Sequence, residues 1–238
     1  MQRKFALSVI AGLFLLSVLT VGNASALIVS FDEPMSLADL IKGSRDQTQY
    51  QIDDKLFYGF SYTPSGDGAV PTAAAITVTP LNDVPLNPGL QFNGFWGAGQ
   101  NQTADGTIGY YVQVLEGGNA IKDFYLDFTG GTVPGGVAGV DESVQAGNSG
   151  GVFLANLHVG TSDSGAYQDT QLLATPTMGP LYVVKDIGVG VPRGLDGTAM
   201  ISQVTNRISE TPVPLPSALL LLAPGLAGLA WMRRRLSA

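Results

Sequence analysis

The sequence predicts an all-β exported domain, an antiparallel β-sandwich or jelly-roll-like fold, held between two targeting segments. Three observations carry this. The chain of 238 residues holds 31 Gly and 14 Pro with few charges, which suits many short strands and frequent turns. Apolar residues alternate with polar ones in several runs of strand length. The chain has no Cys, so no disulfide, thiolate zinc site or Cys nucleophile is available, and apolar burial must hold the core.

The first element is a signal peptide over residues 1–26. Arg3 and Lys4 precede an apolar run from Phe5 to Val21, and Ala24-Ser25-Ala26 closes it with small residues at the cleavage positions. Cleavage after Ala26, by signal peptidase, leaves Leu27 first. A retained anchor is the alternative.

The exported domain follows over residues 27–210. It carries 19 acidic residues against seven basic ones, a net charge near −12 at neutral pH. That excludes the basic surface nucleic-acid binding needs, disfavours anionic lipid, and suits a protein outside the cell. A short helix is expected at Ser36–Lys42, capped by Ser36, with Leu37, Leu40 and Ile41 on one face. Leu56, Tyr58, Phe60 and Tyr62 alternate, as do Ile108, Tyr110, Val112 and Val114. Glu116-Gly117-Gly118-Asn119 then turns into Phe124, Leu126 and Phe128, which reads as a hairpin. Further strands are expected at Ala75–Thr79, Gly89–Trp96, Val152–Val159, Leu181–Val191 and Thr198–Val204. Turn clusters fall at Pro64–Gly68, Asn82–Gly89, Gly97–Gly106, Gly130–Gly139 and Ser162–Gly165. The expected core is Phe60, Ile76, Phe92, Val112, Phe124, Leu157 and Ile201.

Candidate chemistry is sparse. Gly147-Asn148-Ser149-Gly150-Gly151 resembles the nucleophile loop of trypsin-like serine proteases. That family places its His and Asp before the Ser, whereas the sole His of this chain, His158, follows Ser149. His158 also alternates out of phase with Phe153, Ala155, Leu157 and Val159, so Gly147–Gly151 is expected to be a turn. Asp53 and Asp54 are adjacent and point apart on a strand, a poor acid–base pair. The turns Ser65-Gly66-Asp67-Gly68 and Ser162-Asp163-Ser164-Gly165 offer oxygen ligands of the kind Ca²⁺ takes, but Asp-Gly is first a turn signal, and no metal or cofactor is expected. Asn101-Gln102-Thr103 is a formal glycosylation sequon in a loop. Tyr58, Tyr62, Trp96, Tyr110, Tyr111 and Tyr125 have the flat amphipathic rings of a sugar-binding face, and equally the composition of a packed strand core.

The last element spans residues 211–238. A Pro-rich entry leads to an apolar stretch from Leu215 to Met232, then Arg233-Arg234-Arg235. As a helix the stretch is roughly 27 Å long, at the short end for a bilayer core of ~30 Å. Trp231 stands where an interfacial aromatic is expected, and the Arg cluster should stay cytoplasmic. Val213-Pro214-Leu215-Pro216, a short Leu/Gly-rich helix and a terminal Arg cluster together resemble the PEP-CTERM sorting tail of Gram-negative bacteria. Pro214 and Pro216 match that motif's two prolines; Leu215 stands where Glu is usual. The resemblance implies recognition by an exosortase-type membrane protease, transient residence in the inner membrane, and delivery to the cell surface or its exopolysaccharide matrix. An ordinary tail anchor is the alternative. The function expected on this basis is a non-enzymatic surface or biofilm-matrix protein; the alternative is a carbohydrate-binding module or hydrolase acting on extracellular polysaccharide. An exposed aromatic row would favour the alternative.

Overall fold

The computed structural model describes residues 26–161 and 167–212. Ala24, Pro214, Pro216 and Arg233–Arg235 lie outside the described residues, as do the calcium-type turn at Ser162–Gly165 and nearly all of the two targeting segments. Among the described residues no helix is long and apolar enough to cross a membrane.

Among the described residues thirteen strands form two sheets. In chain order they are β1 (Leu27–Ser30), β2 (Met35–Ser36), β3 (Thr48–Ile52), β4 (Lys55–Gly66), β5 (Thr77–Leu81), β6 (Gly89–Ala98), β7 (Thr103–Val114), β8 (Ala120–Thr132), β9 (Val137–Ala146), β10 (Phe153–Gly160), β11 (Gln168–Thr177), β12 (Leu181–Gly190) and β13 (Ala199–Thr211). One sheet runs β1-β3-β4-β7-β12-β9-β10, the other β11-β8-β13-β6-β5-β2. They pack face to face, and the seven residues expected in the core are all buried. Period-two alternation makes this possible, because each strand sends every second side chain to the other sheet. Among the described strand pairs only β1–β3 at the sheet edge is parallel, a departure from the purely antiparallel expectation.

The helix α1 spans Leu37–Arg45. Its cap is as expected: the Ser36 hydroxyl accepts from the Asp39 amide at 3.1 Å, satisfying one of the helix's unpaired N–H groups. Leu37 and Leu40 are buried, and Ile41 packs against the same core.

The hairpin expected around Glu116–Asn119 is not one. β7 pairs with β4 and β12 in one sheet, whereas β8 pairs with β11 and β13 in the other. The turn arches over the end of the sandwich. Alternation marks a strand's buried face but not its sheet, so a short Gly-rich connection fits a hairpin and an arch equally. From β6 onward every connection but β9–β10 crosses between sheets. The strands also invade expected turn clusters: β4 runs to Gly66, β6 to Ala98, β7 starts at Thr103, and the Gly130–Gly139 cluster contains the end of β8 and the start of β9.

Candidate functional site: the outer face of the seven-stranded sheet

Tyr58, Tyr111 and Tyr182 occupy directly opposed positions on β4, β7 and β12, and all three point away from the core. The row continues through Gln145 of β9 to Phe153 at the start of β10. The Tyr58 and Tyr111 rings stack, with centroids 5.3 Å apart and planes 14° apart. Tyr111 and Tyr182 lie 4.8 Å apart at 39°. The Tyr58 hydroxyl donates to Gln113 Oε1 at 3.4 Å. Phe153 is 65% exposed.

Two glycines make room for this row. At Gly59, in the β4 bulge between Tyr58 and Ser61, φ is +66° and an added Cβ would stand 2.6 Å from the Tyr111 ring. At Gly109 an added Cβ would stand 2.6 Å from the Tyr182 hydroxyl and 2.7 Å from Ser61 Oγ. The Tyr182 phenol therefore lies across Gly109 toward Ser61.

Beside the tyrosines, the same face presents Ser61, Gly109, Val184, Ser143 and Asn156 as its next row. Beyond it come Thr107, Asp186, Asp141 and His158. The Thr107 hydroxyl donates to Asp186 at 3.3 Å, and His158 Nδ1 lies 2.7 Å from Asp141 Oδ1. Partial burial, with the neighbouring Asp186 charge, pushes the Asp105 carboxyl above its ordinary range. A groove of about 380 Å³ is lined by Asp141, Ser143, Asn156, His158, Val184 and Asp186. A larger cleft of about 710 Å³ opens between α1 and β4, reaching Gly59 and Ser61 with Lys42 and Arg45 on its wall. Hydroxyls, amides, carboxylates and phenols thus share one open surface, the inventory that polyhydroxylated ligands need.

The structure divides the six aromatics singled out in the sequence. Tyr58 and Tyr111 join the outer row, Tyr62 is half-buried against the core, and Trp96 and Tyr110 are fully buried. Tyr125 faces outward on the other sheet, donating to Gln168 at 3.2 Å. Tyr182 was not among them, although its alternation with buried Leu181 and Val183 marks it as outward-facing. Phe153, expected in phase with Ala155, Leu157 and Val159, is instead exposed, because the pairing register shifts between Phe153 and Ala155.

The remaining sequence candidates resolve into structure. Gly147–Gly151 is the β9–β10 turn, with φ of +78° at Gly147 and +88° at Gly150. Ser149 stands in that turn. His158 lies five residues beyond Phe153 along β10, roughly 17 Å at ~3.3 Å per residue, so the two cannot share a proton. Asp67 Oδ1 accepts from the Thr103 amide at 2.9 Å, closing a loop. Asn101 caps the β6–β7 loop with φ of +61°. Asp53, Asp54 and Glu210 bring carboxylate oxygens within 4.8 Å of one another. The Lys55 ammonium already lies between two of them, bonded to Asp54, to Glu210 at 2.6 Å and to the Asn119 carbonyl at 3.1 Å. The charge a metal would supply is therefore provided by the chain itself.

No family model matches the chain. No curated protein matches it either. Among solved structures it is similar to the enzymatically active domain of bacteriophage CBA120 tailspike protein 4, at 16% identity and a TM-score of 0.28, covering 62% of this chain and 19% of that one. It is also similar to the module TmCBM61 in complex with β-1,4-galactotriose, at 14% identity and a TM-score of 0.31, covering 60% and 86%. A third is the mannan-recognising module TmCBM27, at 13% identity and a TM-score of 0.29, covering 75% and 96%.

Proposed function

We propose that this chain is an exported, non-catalytic domain that binds extracellular polysaccharide on the outer face of the seven-stranded sheet. The single observation that carries the reading is the stacked row Tyr58–Tyr111–Tyr182, continuous with rows of Ser, Asn and Asp side chains on an open surface. Tyrosine pairs an apolar ring with a hydroxyl at low entropic cost, and ordered rings lose little freedom when a sugar docks. The tyrosine row crosses β4, β7 and β12, a direction suited to a polymer running across strands.

Export is part of the proposal. Ala24-Ser25-Ala26 precedes Leu27, the first residue of β1, which pairs with Thr48, so cleavage after Ala26 would leave β1 whole. The tail with Pro214, Pro216 and Arg233–Arg235 would be recognised by an exosortase-type protease and removed, placing the domain at the cell surface or in its matrix. Changing both prolines to Ala should then leave full-length protein in the inner membrane.

Binding is tested by calorimetry with the full chain in detergent, against a soluble neutral β-glucan and a uronate-rich alginate. Tyr182→Ala and Tyr111→Ala should each weaken the better ligand roughly tenfold, corresponding to about 1.4 kcal/mol. Equal affinity in all three proteins would sink this reading. Release of new reducing ends would replace it with a hydrolase.

A further inference from the structure

The core of the sandwich holds a polar cluster that the outer face does not use. Lys185 of β12 and Glu142 of β9 are direct cross-strand partners, both pointing inward, with side chains fully buried and in ion contact. Apart from that contact, neither Lys185 Nζ nor Glu142 Oε2 has a hydrogen-bond partner among the described residues. Glu142 Oε1 accepts from Asn206 Nδ2 at 3.0 Å, and Asn206 belongs to β13 of the opposite sheet. The same Nδ2 donates to the Tyr125 carbonyl at 2.9 Å. Asn206 Oδ1 accepts from the Tyr110 hydroxyl, and Lys185 Nζ lies 5.9 Å from the Tyr110 ring centroid. One carboxylate thus holds a primary amine on one oxygen and a side-chain amide on the other.

We propose that Lys185 and Asn206 join in an intramolecular amide bond, formed by the folded domain itself, with Glu142 carrying the protons and the Tyr110 hydroxyl holding the amide oxygen. In the reaction the Lys185 ammonium first gives a proton to Glu142. The neutral Nζ attacks Asn206 Cγ, and its electron pair forms the new N–C bond while the carbonyl electrons move onto Oδ1. Glu142 gives its proton to Nδ2 and takes the second proton from Nζ; as the Oδ1 electrons re-form the carbonyl, the Cγ–Nδ2 bond breaks, leaving Glu142 protonated. Ammonia leaves, and the Lys–Asn amide remains. No oxidant, metal or co-substrate enters the balance.

Each requirement has a residue. Burial pushes the Lys185 amine well below its ordinary range, making the neutral nucleophile accessible. Tyr110 is fully buried and its phenol is pushed upward, so it keeps the proton that stabilises the developing oxyanion. Ile108 and Leu157 flank Lys185 and Glu142 across their strands, excluding the water that would compete as nucleophile. Holding amine and amide against one carboxylate replaces a bimolecular encounter with a positioned one. The product would tie one sheet to the other across the core. A cysteine-free exported domain has no disulfide for that purpose.

The test is peptide mapping of the full chain, purified in detergent and shown folded by circular dichroism. Trypsin normally cuts after Lys185, Arg193 and Arg207. A cross-linked chain should yield residues 123–193 joined to residues 194–207, lighter than their sum by one ammonia. Glu142→Gln, checked for fold in the same way, should yield the separate peptides 123–185, 186–193 and 194–207. Asn206→Asp, which retains Glu142, should give the joined species lighter than its own sum by one water. Separate peptides with unmodified Lys185 from the folded, unaltered chain overturn the proposal. A joined species from Glu142→Gln overturns the role given to Glu142.

Discussion

The two faces of the seven-stranded sheet use the same residue types to opposite ends. Tyr110 and Tyr111 are neighbours on β7. Tyr110 is fully buried, donating to Asn206, while Tyr111 stands in the outer stack. On β12, Tyr182 points out and Lys185 points in. The inner face buries its polar groups, so each must be paired or its desolvation goes uncompensated. The outer face leaves its groups half in water, where they are available to a ligand. Inner substitutions should therefore change stability and leave binding alone, and outer substitutions should do the reverse.

The largest effect is expected at the inner edge, where Lys55 is bonded to Asp54, Glu210 and the Asn119 carbonyl. Glu210→Ala leaves the buried ammonium short of a counter-charge and should cost about 3–5 kcal/mol, read from the urea midpoint. Polysaccharide affinity of the remaining folded protein should not move. The same cluster predicts a pH dependence. Burial alone would raise the Asp54 carboxyl, but the Lys55 ammonium and the Asn119 amide override it and hold it below its ordinary range. A depressed carboxyl stabilises the fold above its unfolded pKa, and that contribution is lost as pH falls through the folded value. Asp54→Asn should therefore be less stable than the unaltered chain at neutral pH, with the difference shrinking in acid. A difference that persists unchanged in acid would contradict the assignment.

The neighbouring tyrosines give the sharpest form of the comparison. Tyr110→Phe leaves Asn206 Oδ1 without its donor and should cost about 1–3 kcal/mol, with affinity unchanged. Tyr111→Phe removes a surface hydroxyl and should change stability by less than about 0.5 kcal/mol. Similar costs at both positions would mean that the two faces are not energetically distinct.

Much of this division was legible in the sequence. The core residues, the α1 cap and the turn at Gly147–Gly151 follow from period-two alternation and local turn chemistry. The same rule places Lys185 inward between Val183 and Ile187. What alternation cannot supply is the partner across the gap. Asn206 meets Glu142 only because β13 and β9 lie in facing sheets, and that depends on which turns arch and which fold back. The tyrosine row was hidden for the same reason. Tyr58, Tyr111 and Tyr182 lie far apart in the chain and align only through the registers of β4, β7 and β12. β1, β2, β3, β9 and β11 were missed: β1 and β2 are short, β3 and β11 are largely polar, and in β9 the charged Glu142 interrupts the alternation of Ala138, Val140 and Val144.

The smallest expected effect lies at Gly109, where stability and binding should part in sign. Its backbone has no positive φ, so alanine fits the strand conformation and narrows the unfolded ensemble, worth about 0.4–1 kcal/mol. The new methyl would stand 2.6 Å from the Tyr182 hydroxyl and 2.7 Å from Ser61 Oγ, both at the ends of side chains that can swing away. The fold therefore bears little strain, but the Tyr182 ring must leave its place across Gly109 and tilt away from Tyr111. Gly109→Ala should melt at or slightly above the unaltered chain while binding polysaccharide several-fold more weakly, as expected of roughly 1 kcal/mol lost at one contact. A melting temperature lowered together with affinity would mean that the row belongs to the fold's own packing. Unchanged affinity, with the ring visibly displaced, would mean that Tyr182 does not touch the ligand.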